Sequence, residues 1–156
     1  MFLELPQIWI GILNTIYFPV VMLLVARWTT SLPVDFFNPS SWLYQARGFE
    51  KNLRIYERLF KIKSWKHKLP DGSKMFASGF AKKKLQRTES EYINRFILET
   101  CRGELAHWID LLLLPLVLLW NPPWAIYIMV GLGLIGNIPC ILVQRYNRVR
   151  LTRISR

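Results

Sequence analysis

Hydrophobic positions in this chain gather into three long runs, and a basic, aromatic-rich segment separates the first from the other two. Residues 5–26 read LPQIWIGILNTIYFPVVMLLVA without a single charge. At about 1.5 Å per residue a helix of that length crosses a hydrocarbon core of about 30 Å. Leu105 to Trp120 forms a second run, interrupted only by His107 and Asp110 near its start, and Trp124 to Val143 a third with no charge. Asn121-Pro122-Pro123 between them is a turn signal, so the pattern predicts a transmembrane hairpin. Trp108, Trp120, Trp124 and Tyr127 fall near the ends of these runs, where amphipathic rings favour the headgroup layer. Pro6 and Pro19 in the first run are tolerated in lipid when neighbours satisfy the freed carbonyls. A cleaved signal peptide is the rival for that run, but no Lys or Arg precedes it and no small-x-small site follows it.

Between the first run and the hairpin, Ser31-Leu32-Pro33 and Asn38-Pro39-Ser40-Ser41 are turn-rich, and Ser40 or Ser41 is placed to cap a following helix. From Phe49 to Trp65 the residues Leu53, Ile55, Tyr56, Leu59, Phe60, Ile62 and Trp65 recur mostly at helical spacing, with Lys51, Arg54, Arg58, Lys61 and Lys63 between them. This predicts an amphipathic basic helix lying on anionic lipid. Pro70-Asp71-Gly72 breaks it, and the irregular stretch that follows carries Lys82-Lys83-Lys84, a charge patch suited to a membrane surface. Thr88 as N-cap, with Glu91 in the capping-box position, predicts a helix from about residue 89 through Trp108 and on into the membrane.

Charge then sets orientation. A mean hydropathy of +0.19 beside a net charge of +11 requires the two properties to be segregated along the chain. Residues 27–105 hold 16 Lys and Arg against 8 Asp and Glu, residues 144–156 hold 5 against none, and residues 1–26 hold one Glu and no base. The positive-inside rule puts the central segment, about 27–104, and the basic tail 144–156 in the cytoplasm. The expectation is a cell-membrane, multi-pass, all-α integral membrane protein. It forms one membrane domain over 1–156, with about three transmembrane helices (about 5–26, 105–120 and 124–143) plus cytoplasmic amphipathic helices. The hydrophobic runs argue against nucleic acid as the partner of the positive charge. Cys101 and Cys140 lie where no disulfide is expected and read as small packing residues.

Three clusters carry candidate chemistry. In the segment from Glu99 to Asp110, helical spacing brings Glu104, His107 and Asp110 within an arc of about 120°. A carboxylate beside His107 would hold its tautomer and stabilise the imidazolium formed when it takes a proton. The plainer reading makes His107 an interfacial residue reaching for headgroups beside Trp108, and the spacing alone leaves the two level. His67 in His67-Lys68-Leu69-Pro70-Asp71 has a His-x-x-x-Asp spacing resembling acyltransferase motifs, against the plainer reading of a surface imidazole in a Lys-rich turn. Glu104-x-x-His107 also matches half of a di-iron carboxylate site, but the chain has only 2 His, and no metal is expected. In the tail, Arg145, Arg148 and Arg150 suit a phosphate, or else mark a topology-setting basic stop. Asn137 and Pro139 stand inside the third run, where a buried amide requires a partner.

The segments WKHKLPDG (65–72), ETCRGELAHWI (99–109) and NIPCILVQRYNRVRL (137–151) resemble the glycosyl-4,4'-diaponeurosporenoate acyltransferases of Gram-positive carotenoid pathways, and the similarity runs along most of the chain. The matching positions are Trp65, Lys66, His67, Lys68, Asp71 and Gly72, then Glu99, Arg102, Glu104, His107 and Trp108. In the tail they are Asn137, Pro139, Gln144, Arg145, Tyr146, Asn147, Arg148 and Arg150. Val149 stands where the family has proline. The resemblance implies transfer of a fatty acyl group to the glucose 6-hydroxyl of a glycosylated C30 carotenoid, the last step of staphyloxanthin-type pigment synthesis. Expected partners are a glycosylated carotenoid or other glycolipid, an acyl-CoA or acyl carrier protein thioester as donor with no bound cofactor, and anionic membrane lipid.

The expected base is His107 with Glu104, or alternatively His67 with Asp71. Substrate binding is expected at Lys66, Lys68, Arg102, Asn137, Gln144, Arg145, Asn147 and Arg148, with Arg148 or Asn147 as donor to the oxyanion. The alternatives are a non-catalytic membrane module that assembles pigment enzymes, and another lipid-modifying transferase such as a methyltransferase.

Overall fold

The structure is a computed structural model that describes residues 3–69, 80 and 89–155. It is all helix among the described residues, with α1 (Gln7–Ser31), the one-turn α2 (Ile62–Trp65), α3 (Ser90–Leu113) and α4 (Pro123–Ile154). Helix α1 stops where Pro33 forces Leu32 into extended backbone, φ −68° and ψ 138°. Helix α3 continues unbroken past Trp108, as its pattern predicts, and begins at Ser90 with Glu89 as a cap whose side chain makes no cap hydrogen bond. Thr88 lies outside the described residues, as do Asp71, Gly72 and Lys82 to Lys84.

Among the described residues two helices, α1 and α4, are long and apolar enough to cross a membrane, not the three that the runs predict. Pro115 is the reason. It has no N–H to donate to the Leu111 carbonyl, so α3 ends at Leu113 and the chain tightens into a 3-10 helix over Leu114–Leu119. The run from Leu105 to Trp120 is thereby divided between the end of a helix whose first half is charged and a six-residue segment.

The two pieces nevertheless lie along α1 from end to end. Arg102 Nη2 donates to the Leu32 carbonyl at 2.8 Å, Tyr17 Oη to the Leu113 carbonyl at 2.5 Å, and Leu3 N to the Leu119 carbonyl at 2.8 Å. At that last end a small amide network closes the apolar region. Asn14 Nδ2 donates to Asn121 Oδ1 at 2.7 Å, while Asn14 Oδ1 accepts from Trp120 Nε1 at 2.8 Å and Asn121 Nδ2 at 2.9 Å. Every polar atom of this kind inside an apolar layer needs such a partner. The outer face of α1, with Ile8, Trp9, Ile16 and Leu24 exposed, has no protein against it.

Helix α4 packs antiparallel on α3, and Gly133 lets it approach closely, since a Cβ there would lie 2.7 Å from Leu114 Cδ1. The basic tail expected after Val143 is not a separate extension, for α4 runs on to Ile154 and Leu151 packs on Ile93, Phe96 and Ile97. The amphipathic helix expected over 49–65 is broken up instead. A single π turn covers Ile55–Leu59, Lys61 takes a left-handed φ of 46°, and α2 follows. Tyr56 and Ile62 are buried together against Tyr146 of α4. Burying both outweighs a local helix of marginal stability and the cost of about 1–2 kcal/mol for a left-handed lysine.

Candidate functional site

Where α3 leaves its charged half, Glu104 is completely buried and stands at the centre of an ion-pair layer. Its Oε1 accepts from Arg145 Nη1 at 2.6 Å and Trp108 Nε1 at 3.1 Å, and its Oε2 from Arg148 Nη2. The arginines come from successive turns of α4, so the layer ties α3 to α4.

Arg145 spends all its donors inside the protein. Nε and Nη2 form a fork on Glu50 at 2.7 Å each, Nη1 also reaches the Leu43 carbonyl at 3.1 Å, and Nη2 the Gln45 carbonyl at 3.3 Å. Arg148 is likewise enclosed, with Nε on the Tyr44 carbonyl at 3.0 Å and Nη1 near Thr100 Oγ1 and Cys101 Sγ. Five N–H groups are all a guanidinium has, so in this structure the donors of Arg145, expected to grip a phosphate, are taken up within the protein. Arg148, expected as an oxyanion donor, likewise directs Nε, Nη1 and Nη2 at groups inside the protein. Arg102 forms a separate strap, donating to Glu99 Oε1 at 2.8 Å and to the Leu32 carbonyl. Burial pushes the Cys101 thiol up to about 11, which fits a packing residue and not a nucleophile.

Glu50 is the member of the layer that sequence reasoning missed. It lies 95 residues from Arg145 in the chain, and no local spacing pairs them. Burial alone would raise its carboxyl, but hydrogen bonds from Arg145, Tyr56 Oη and the Arg47 N–H outweigh that and hold it at about 2, against an ordinary 4.5. A depressed carboxyl contributes stability that is present above its unfolded value and lost as pH falls through its folded value. The unfolding midpoint is therefore expected to drop between pH 4.5 and 2. Glu50→Gln should flatten that part of a stability-against-pH curve.

One turn beyond Glu104 the chemistry changes. The dyad expected between Glu104 and His107 is not how the hydrogen bonds fall, because both Glu104 oxygens are engaged by the arginines and Trp108. His107 Nδ1 instead faces Asn137 Oδ1 at 2.8 Å. Asn137 Nδ2 donates to the Gly133 carbonyl at 3.0 Å, which turns the amide oxygen toward the ring. An amide oxygen only accepts, so Nδ1 carries a proton in this hydrogen bond. An asparagine thus orients the ring where a carboxylate was expected, without supplying a counter-charge.

His67 and Lys68 are exposed on a short 3-10 segment, and Asp71 lies outside the described residues. Lys66 turns inward, its Nζ donating to Asn147 Oδ1 at 3.4 Å and standing 4.9 Å from the centre of the Tyr146 ring. Burial lowers its pKa, and the positive charges of Arg150 and Lys63 lower it further. Gln144 Oε1 is buried without a hydrogen-bond partner among the described residues. An open apolar groove of about 410 Å³, lined by Leu24, Val25, Trp28 and Ile109, lies between α1 and α3. Among the described residues no group of three or more His, Cys, Asp or Glu side chains is arranged to hold a metal ion.

A helical, membrane-suited frame with a preset imidazole beneath a saturated ion-pair layer suits proton transfer at a lipid boundary, and comparison with known proteins gives the reaction class. Residues 39–156 match the family model described as glycosyl-4,4'-diaponeurosporenoate acyltransferase. Relatives of that name from Staphylococcus aureus strains bovine RF122 / ET3-1 and MRSA252 are each 34% identical over 143 residues, 91% of this chain and 86% of theirs. The relative from strain USA300 is 33% identical over the same span. The chain belongs to the glycosyl-4,4'-diaponeurosporenoate acyltransferase family, and it is an acyltransferase. These similarities do not favour a non-catalytic module or a methyltransferase. No solved structure matches the chain.

Proposed function

We propose that this protein esterifies the glucose 6-hydroxyl of a glycosylated C30 carotenoid with a fatty acyl group, and that His107 is the base. The observation that carries the reading is the His107–Asn137 pair, set where the ion-pair layer meets the apolar half of α3, inside the stretch that matches the family. His107 Nε2 takes the hydroxyl proton while the sugar oxygen attacks the thioester carbonyl. The C–S bond then breaks, and the thiol leaves with that proton. The donor is an acyl-CoA or acyl carrier protein thioester. Its phosphate is drawn to Lys66, with Lys68 beside it in sequence. Lys66 supports this role because its nearest described partners are a neutral amide and an aromatic ring while two further cations crowd it.

The charge asymmetry supports a cytoplasmic central segment and C-terminus, with α1 and α4 crossing the membrane and residues 102–120 passing alongside α1. The sugar is then presented at the inner headgroup level while its polyene tail stays in lipid. Purified protein supplied with the glycosylated carotenoid and labelled acyl-CoA should yield, by mass spectrometry, an ester at the sugar's primary alcohol. Label that reaches only water, or a different position of the sugar, overturns the reading.

A further inference from the structure

Two orphaned oxygens stand on the helices that carry the pair just described. Asp110 Oδ1 and Gln144 Oε1 are buried and have no hydrogen-bond partner among the described residues. Asp110 follows His107 by three residues on α3. Gln144 follows Asn137 by seven on α4, two helical turns along nearly the same face. The helices run antiparallel, with Thr100 against Arg148 and Leu114 against Gly133, which sets Gly103 about level with Gln144. Gly103 contributes no side chain to the stripe of α3 that it shares with His107 and Asp110.

Unpaired acceptors among apolar helices are costly and call for an explanation in a native fold. A cation is a poor complement to Gln144, whose amide is neutral and close in sequence to Arg145 and Arg148. A ring bearing hydroxyls satisfies several acceptors at once without bringing charge. Each hydroxyl donates one O–H.

We infer that Asp110 and Gln144 bind the acceptor sugar, each taking an O–H from a ring hydroxyl of the glucose whose 6-hydroxyl faces His107. This rests on the glycosyl acceptor proposed above and assigns its specificity. A hydroxyl-poor acceptor leaves both oxygens unpaired and is rejected, since a site built to receive donors discriminates strongly against analogues that lack them.

The test uses full-length protein in lipid and detergent micelles, melted with dodecyl glucoside or with the analogue whose hydroxyls are replaced by fluorine, which keeps size but cannot donate. The glucoside should raise the melting temperature and the fluorinated analogue should not. Gln144→Leu and Asp110→Leu each delete an orphaned acceptor. Each should leave the free protein as stable or more so, abolish the glucoside shift, and raise the KM for the glycosyl acceptor about five-fold or more at unchanged thioester KM. Equal stabilisation by both probes, or a smaller rise in acceptor KM in both variants, overturns the assignment. The melting shift needs no turnover, so it separates this assignment from the base: in His107→Ala the shift persists whatever happens to activity.

Discussion

Glu104→Ala is expected to cost about 3–5 kcal/mol of stability, the largest single-residue effect in this fold. The carboxylate is completely buried and is shared by two guanidiniums, one of them, Arg148, only 4% exposed. Arg145 retains its fork on Glu50 when Glu104 is gone. Arg148 is left with the Tyr44 carbonyl, a hydroxyl and a thiol, none of them charged. A buried cation without a counter-charge is far more costly than the same site filled by apolar groups. The double variant Glu104→Leu, Arg148→Met should therefore recover much of the loss, whereas the two single variants should not. Unfolding midpoints in detergent, followed by tryptophan fluorescence, measure this directly. A loss under about 1 kcal/mol for Glu104→Ala places the ion pair in the range of solvent-exposed bridges and contradicts the buried layer.

That layer also shows where sequence reasoning reaches its limit. The apolar runs were legible because they depend only on neighbouring residues, and α1 and α4 fall where the runs put them. Glu104 was singled out, but helical spacing offered His107 as its partner, while its ion-pair partners stand 41 and 44 residues away on another helix. Asn137 was marked as an amide needing a partner, and the structure supplies the imidazole.

The second run failed for a different reason. Its composition suits lipid throughout, yet one proline, Pro115, ends the α-helix partway through it. Between 49 and 65, Tyr56 and Ile62 have the periodicity of a helix, but their positions are set by contact with Tyr146, some 80 or more residues distant. Local pattern thus located the segments, and long-range pairing decided which side chains form the site.

His107→Ala should abolish acyl transfer while leaving the protein in the membrane, because the two losses rest on different groups. The packing of α3 on α4 is held by Glu104, Arg145 and Arg148 and by Leu151 against Ile93, Phe96 and Ile97. Removing a positioned general base costs about 10²- to 10⁴-fold in rate. Accumulation of the variant at wild-type level, with kcat down by at least about a hundred-fold, is therefore the expected result.

Asn137→Leu separates holding the ring from accepting the proton. It keeps the imidazole but deletes the oxygen that places the proton on Nδ1, so kcat should fall by a smaller factor while both KM values stay near wild type. Imidazole added to the assay should restore part of the His107→Ala activity and none of the Asn137→Leu loss. An added base replaces a missing side chain but does not orient one still in place. Full activity in His107→Ala takes the proton-transfer role away from this residue. It then leaves the exposed His67 as the one other imidazole in the chain.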